Sequence, residues 1–157
     1  MSDNAVDKKM CDDVDAKNNP VEIWYGDTLA GSRVMPLFLK TYAEILEKGH
    51  GSSLVSWDGS NKFNVLYCTT SSGDILGGIA FEYRPLVREG WIMLSFTDPA
   101  HRGKEINKLL HTYFESMVQQ RGGNKICSHV HVDNAQRLKS AAKVGLAPQF
   151  YRMYKEI

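Results

Sequence analysis

From residue 21 onward hydrophobic residues recur with two periods, one near two and one near 3.6, and the places where one gives way to the other mark out the elements. Val21-Glu22-Ile23-Trp24-Tyr25 alternates as a first strand, which Gly26-Asp27 ends. Between Met35 and Lys48, the residues Leu39, Tyr42, Ile45 and Leu46 fall at helical spacing. Pro36 is tolerated near a helix start there, and Gly49 stands where a C-cap glycine would. Lys62 to Thr69 and Asp74 to Arg84 are rich in β-branched and aromatic residues, and Thr70-Ser71-Ser72-Gly73 joins them as a hairpin. Pro85 and Gly90 bracket a further turn before Trp91 to Phe96, so the pattern predicts three antiparallel strands in succession. Ile106, Leu109, Leu110, Tyr113, Phe114 and Met117 then line one face of a helix that Gly122-Gly123 stops. Lys125 to Val132 reads as a strand, Asn134 to Val144 as another helix, and Phe150 to Tyr154 as a closing strand.

Residues 1–20 break this rhythm. They hold five Asp, three Lys and no aromatic residue, and end in Asn18-Asn19-Pro20, so they are expected to form a flexible acidic tail. A short helix is the alternative there, because Val6, Met10 and Val14 recur every four residues. The whole chain of 157 residues suits one domain, and 43% apolar residues suit a globular core. Nineteen basic against eighteen acidic residues give a net charge of +1, too little for a general attraction to nucleic acid or an anionic membrane. The basic residues of the second half are interleaved with core positions and lack the aromatic platforms of single-strand binders. Cys11, Cys68 and Cys127 are widely spaced and odd in number, which argues against a disulfide framework or a structural zinc. With no long apolar run and an acidic N-terminus, the expected location is cytoplasmic.

The chemistry concentrates in Phe96-Thr97-Asp98-Pro99-Ala100-His101-Arg102-Gly103-Lys104-Glu105-Ile106-Asn107, a strand running through a short loop into a helix. The first N–H groups of a helix have no intrahelical acceptor and the helix dipole adds positive charge, so with Arg102 and Lys104 this is an anion site suited to phosphate. The loop resembles the Arg/Gln-x-x-Gly-x-Gly/Ala pyrophosphate loop of the GCN5-related N-acetyltransferases, matching Arg-Gly-Lys-Gly-Ile-Gly at Arg102, Gly103, Lys104 and Ile106. Glu105 and Asn107 replace two of its glycines. A carboxylate about 4 Å from a phosphate costs a few kcal/mol at a partly screened surface, so Glu105 weakens cofactor binding unless it turns outward. A second stretch, Val132-Asp133-Asn134 followed by Arg137-Leu138 and Lys143-Val144-Gly145-Leu146, resembles the family's Asn-x-x-Ala...Tyr-x-Lys-x-Gly-Phe wording. Ala141 occupies the place of the tyrosine that protonates the departing thiolate.

The resemblance runs from about Val21 to the C-terminus. It implies a single α/β domain over residues 21–157, with a mixed, mostly antiparallel central sheet of about six strands flanked by helices. It further implies acetyl-CoA as acyl donor and direct transfer of an acetyl group to an amine of a small molecule or a protein. The cofactor would lie between the splayed strands Trp91 to Thr97 and Lys125 to Val132, against Phe96, Thr97, Arg102 to Asn107 and Asn134. A backbone N–H near Phe96 or Thr97 would polarise the thioester, and no covalent nucleophile is needed. Glu82 on the hairpin and His131 are candidates for the base, the latter because imidazole titrates near neutrality. Tyr151 and Tyr154 are candidates to replace the donor lost at position 141. Cys127, His129 and His131 alternate along one strand, yet same-face neighbours converge poorly on a tetrahedral ion, so no metal is expected. A homodimer is left open, and the acceptor is not legible. The rival reading is a degenerate binding or assembly protein on the same fold, such as a phage virion-associated one, favoured by Glu105, Asn107 and Ala141.

Overall fold

A computed structural model describes residues 7–50 and 62–149. Among these, six strands form one sheet in strict sequential order. They are β1 (Asp7–Val14), β2 (Pro20–Gly26), β3 (Asn64–Thr70), β4 (Ile75–Arg84), β5 (Glu89–Thr97) and β6 (Lys125–Ser128). Helix α1 (Met35–Glu47) follows β2, α2 (Ile106–Gln120) links β5 to β6, and α3 (Ala135–Lys143) follows β6. Every neighbouring pair is antiparallel except β5 and β6, which are parallel, as a helical crossover between them requires.

The near-continuous apolar wording of β3 and β4 follows from burial on both faces. Leu66, Cys68, Ile79 and Phe81 face one core, closed by Ile106, Leu110, Phe114 and Val118 of α2. Val65, Tyr67 and Ala80 face the other, closed by Phe38 of α1 together with Leu29, Val34 and Leu94. Each large α2 side chain so buried contributes about 1.5–3 kcal/mol relative to exposure, which fixes the helix on the sheet. Glycines let the helix come close. A Cβ on Gly90 would stand 2.3 Å from Val118 Cγ2, and one on Gly77 would stand 2.8 Å from the Phe96 carbonyl and 3.1 Å from Ile106 Cγ2. Gly90 therefore lies inside β5 beneath α2, rather than in the turn that the sequence pattern predicts.

For the described residues from Asp7 on, the N-terminal expectation is overturned. Residues 7–14 are an edge strand paired with β2, neither a flexible tail nor a helix. The composition misleads because edge strands use charge and irregularity to resist pairing with other chains. β1 has both: it carries Lys8, Lys9, Asp12 and Asp13, and Met10 bulges out of register between Lys9 and Cys11. It is anchored at both ends. Asp7 accepts hydrogen bonds from Tyr67 Oη and Ser32 Oγ, each at 2.9 Å, and Asp13 accepts one from Tyr113 Oη at 2.6 Å. The turn after it is held by Asp15, which accepts from the backbone N–H groups of Lys17 and Asn19 and from the Asn19 amide. Burial raises the Asp15 carboxyl, but these hydrogen bonds outweigh it and hold it below its usual value.

At the other edge, β6 is shorter than predicted, ending at Ser128 and not at Val132. The predicted closing strand, Phe150 to Tyr154, lies outside the described residues. No described helix is long and apolar enough to cross a membrane.

Candidate functional site

The parallel ladder between β5 and β6 runs from Glu89↔Lys125 to Ile92↔Ser128 and stops there, while β5 continues to Thr97. One residue beyond the last rung, Met93 bulges out of the β4–β5 register, between Leu94 opposite Ala80 and Ile92 opposite Phe81. A bulge bends its strand and increases local twist. The two strands part at this point, and a cleft of about 870 Å³ opens between them. Its walls are β5 from Ile92 onward, Ser128 at the end of β6 with residues 129–131 after it, the start of α2, the cleft side of α3 and part of α1. β5 thus presents an unpaired strand edge to the cleft, whose amides and carbonyls call for an extended, amide-bearing guest.

At one end of the cleft the chain turns from β5 into α2. Asp98 donates its N–H to the Leu76 carbonyl at 2.8 Å and caps a single 3-10 turn, Pro99–His101, by accepting from Ala100 N–H at 3.0 Å. Gly103 then takes φ +80, and a Cβ there would meet nothing within 4 Å. Glu105, the N-cap of α2, sits in the left-handed region at φ 54, ψ 31, and makes no side-chain cap. Its backbone thus holds a conformation that glycine adopts freely, at a cost of about 1–2 kcal/mol for a residue with a Cβ. Its carboxylate, 59% exposed, lies 3.7 Å from Lys108 Nζ, so the side chain has the outward partner on which tolerance of a phosphate depends. The first α2 amide to bond back is that of Leu109, onto the Glu105 carbonyl, which leaves the N–H groups of Ile106, Asn107 and Lys108 without intrahelical acceptors.

Of the residues expected to hold a cofactor, Phe96, Thr97, Arg102, Gly103, Glu105, Ile106, Asn107 and Asn134 all line this cleft. Lys104 does not: its Nζ lies 3.1 Å from His101 Nδ1, and its carbonyl accepts the Ala16 N–H, tying the loop to the turn after β1. Phe96 packs edge-on against Phe38 at 4.9 Å between ring centroids. Asn134 is the N-cap of α3, its Oδ1 accepting from Arg137 N–H at 3.1 Å, which leaves its two amide hydrogens for another acceptor.

The expected proton-transfer residues separate. His131 lines the cleft and stacks on His50, which follows α1, with centroids 5.3 Å apart and planes 20° from parallel. Its Nδ1 accepts the Asp133 N–H at 3.2 Å, so the proton of the neutral ring is on Nε2 and the imidazole presents a donor. Glu82 is outside the cleft, opposite Trp91 in the closed half of the sheet and ion-paired with Arg84. Tyr151 and Tyr154 lie outside the described residues. Ala141 is buried, with no hydroxyl to offer. Sequence reading missed His50, since only the tertiary fold brings it to His131. It also missed Gly77-Gly78, whose signal is two glycines inside a strongly β-forming run.

The model of the acetyltransferase (GNAT) family matches residues 32–146, and the chain belongs to that family. Solved structures agree on the fold. A ribosomal-protein-alanine N-acetyltransferase from Brucella melitensis biovar Abortus superimposes with a TM-score of 0.64 at 17% identity, over 87% of this chain and 99% of that one. A putative acetyl transferase from Pyrococcus furiosus does so at 0.62 and 19% identity, over 87% and 100%. The aminoglycoside N-acetyltransferase AAC(6')-Iy, solved in complex with CoA, does so at 0.57 and 12% identity, over 86% and 98%. No curated protein matches the chain.

Proposed function

We propose that this chain transfers an acetyl group from acetyl-CoA to an amine by direct attack, with the cofactor lying in the cleft between β5 and β6. The observation that carries the reading is the coincidence of three features in one groove: a strand edge without a partner, a helix start with free amides, and an exposed Arg102 beside it. The residues fit the cofactor. Gly103 leaves open space at the loop, Glu105 keeps the backbone turn, and its carboxylate is matched by Lys108. When bound, acetyl-CoA supplies an activated acyl carbon; everything else is the task of the chain. Arg102 and the α2 amides hold the diphosphate, and the free edge of β5 holds the amide-bearing arm and offers N–H groups to the thioester oxygen. His131 donates a hydrogen bond from Nε2 to the departing sulfur, in the place that Ala141 leaves without a donor, and the thiolate takes the proton that the attacking amine gives up through His50. His50, stacked on it at the α1 side, accepts the proton lost by the attacking amine. The acceptor is a small-molecule amine or an amine of a protein.

Calorimetric titration with acetyl-CoA tests this. The wild-type chain binds, Arg102→Ala binds about tenfold more weakly through loss of a charged hydrogen bond, and Glu105→Gly binds a few-fold more tightly. A wild-type chain that releases no heat with millimolar acetyl-CoA overturns the proposal. Binding without release of thiol in the presence of any amine would instead support the second reading, a cofactor-holding protein that no longer turns over, which the buried Ala141 favours.

A further inference from the structure

Arg137 lies on α3, one turn past Asn134, at the alanine position of the Asn-x-x-Ala wording, and it lines the cleft. Its Nη1 makes one long hydrogen bond, 3.4 Å to Ser140 Oγ. Its buried Nη2 has no partner among the described residues, and no described carboxylate is within ion-pair reach. Burial alone pulls the guanidinium below its usual value, with no acid opposing it. An unpaired charge in such a place is strongly destabilising, and proteins seldom keep one that nothing answers.

The start of α2 lines the same cleft as this charge. His111 is buried on one face of α2, and the Arg137 charge adds to burial in holding it down at about 4. Asn107 is one helical turn earlier on that face and lines the cleft at the free α2 amides. Arg137 from α3, Arg102 from the loop and Asn107 from the start of α2 thus line one and the same cleft.

We infer that Arg137 is a binding residue for the diphosphate of the acyl-CoA, closing from α3 a clamp whose other jaw is Arg102 and the α2 amides. The inference rests on the transferase reading. A planar guanidinium can take two oxygens at once, so the fork left open at Nη2 is answered only when the anion is seated. The same group is a burden to the empty protein.

The test is Arg137→Met, which keeps the length and apolar stem of the side chain. The ligand-free variant melts at a higher temperature than wild type, while its affinity for acetyl-CoA falls by about tenfold or more. Affinity for 3'-dephospho-CoA falls by the same factor, and affinity for S-acetylpantetheine, which lacks phosphate, is unchanged. A lower melting temperature together with equal losses for all three ligands would show a structural role and overturn the inference. A loss confined to ligands bearing the 3'-phosphate would overturn the diphosphate assignment. Inorganic pyrophosphate separates the two readings: Arg137-dependent binding of pyrophosphate without binding of acetyl-CoA upholds the clamp and defeats the transferase, and binding of neither by wild type defeats both.

Discussion

A glutamate in a left-handed helix cap keeps the turn that glycine makes easy, and Glu105 does so while holding its charge near Lys108. What looked in the sequence like a lost backbone conformation is a conformation kept under strain, with relief at hand in a Glu105→Gly variant. His111 is the second residue whose setting has a measurable effect. It is 2% exposed, its Nε2 has no partner among the described residues, and burial followed by the Arg137 charge lowers it to about 4. The unfolded chain, with an ordinary imidazole near 6.5, binds the proton first, so stability is full above that value and is lost as pH falls toward 4. Between pH 7 and pH 5 this one group should remove on the order of 2 kcal/mol, given its value of about 4 in the fold. Urea midpoints measured across that window should drop for wild type, and His111→Leu should flatten the decline.

At the scale of the element, two glycines near the cleft have opposite tolerances. A Cβ on Gly77 meets the Phe96 carbonyl at 2.8 Å and Ile106 at 3.1 Å, whereas one on Gly103 meets nothing. Gly77→Ala must push β5 away or lift the start of α2, and is expected to lower stability by about 1–3 kcal/mol and to weaken acetyl-CoA binding with it. Gly103→Ala pays only for its φ of +80, about 1 kcal/mol. Urea unfolding of both variants, with calorimetry of the folded proteins, gives the comparison. The same region shows what was legible beforehand. Helix α2 was readable from Ile106, Leu110 and Phe114, and the anion loop from its basic residues at a helix start, because both signals are local. The end of β6 at Ser128, the bulge at Met93 and the His50–His131 stack were not, because each depends on which strand or ring lies alongside.

For the whole molecule, the sequential sheet makes residues 7–14 a structural edge, and the charges that mimic a tail are those an edge strand needs. Deleting residues 1–14 should therefore take the carboxylate acceptors from the Tyr67 hydroxyl, which keeps only the Arg33 Nε–H, and from the Tyr113 hydroxyl, and uncover β2. The truncated chain is expected to melt well below the full one, by several kcal/mol of lost stability, and to elute from gel filtration as larger species. Truncation without effect on either measurement would mean that the strand contributes nothing. At the opposite edge, four rungs sew β5 to β6 at one end only. Such a seam is built as tweezers are: on the transferase reading proposed above, a thicker acyl chain would meet the free tips of the jaws, while every stitch lies at the handle.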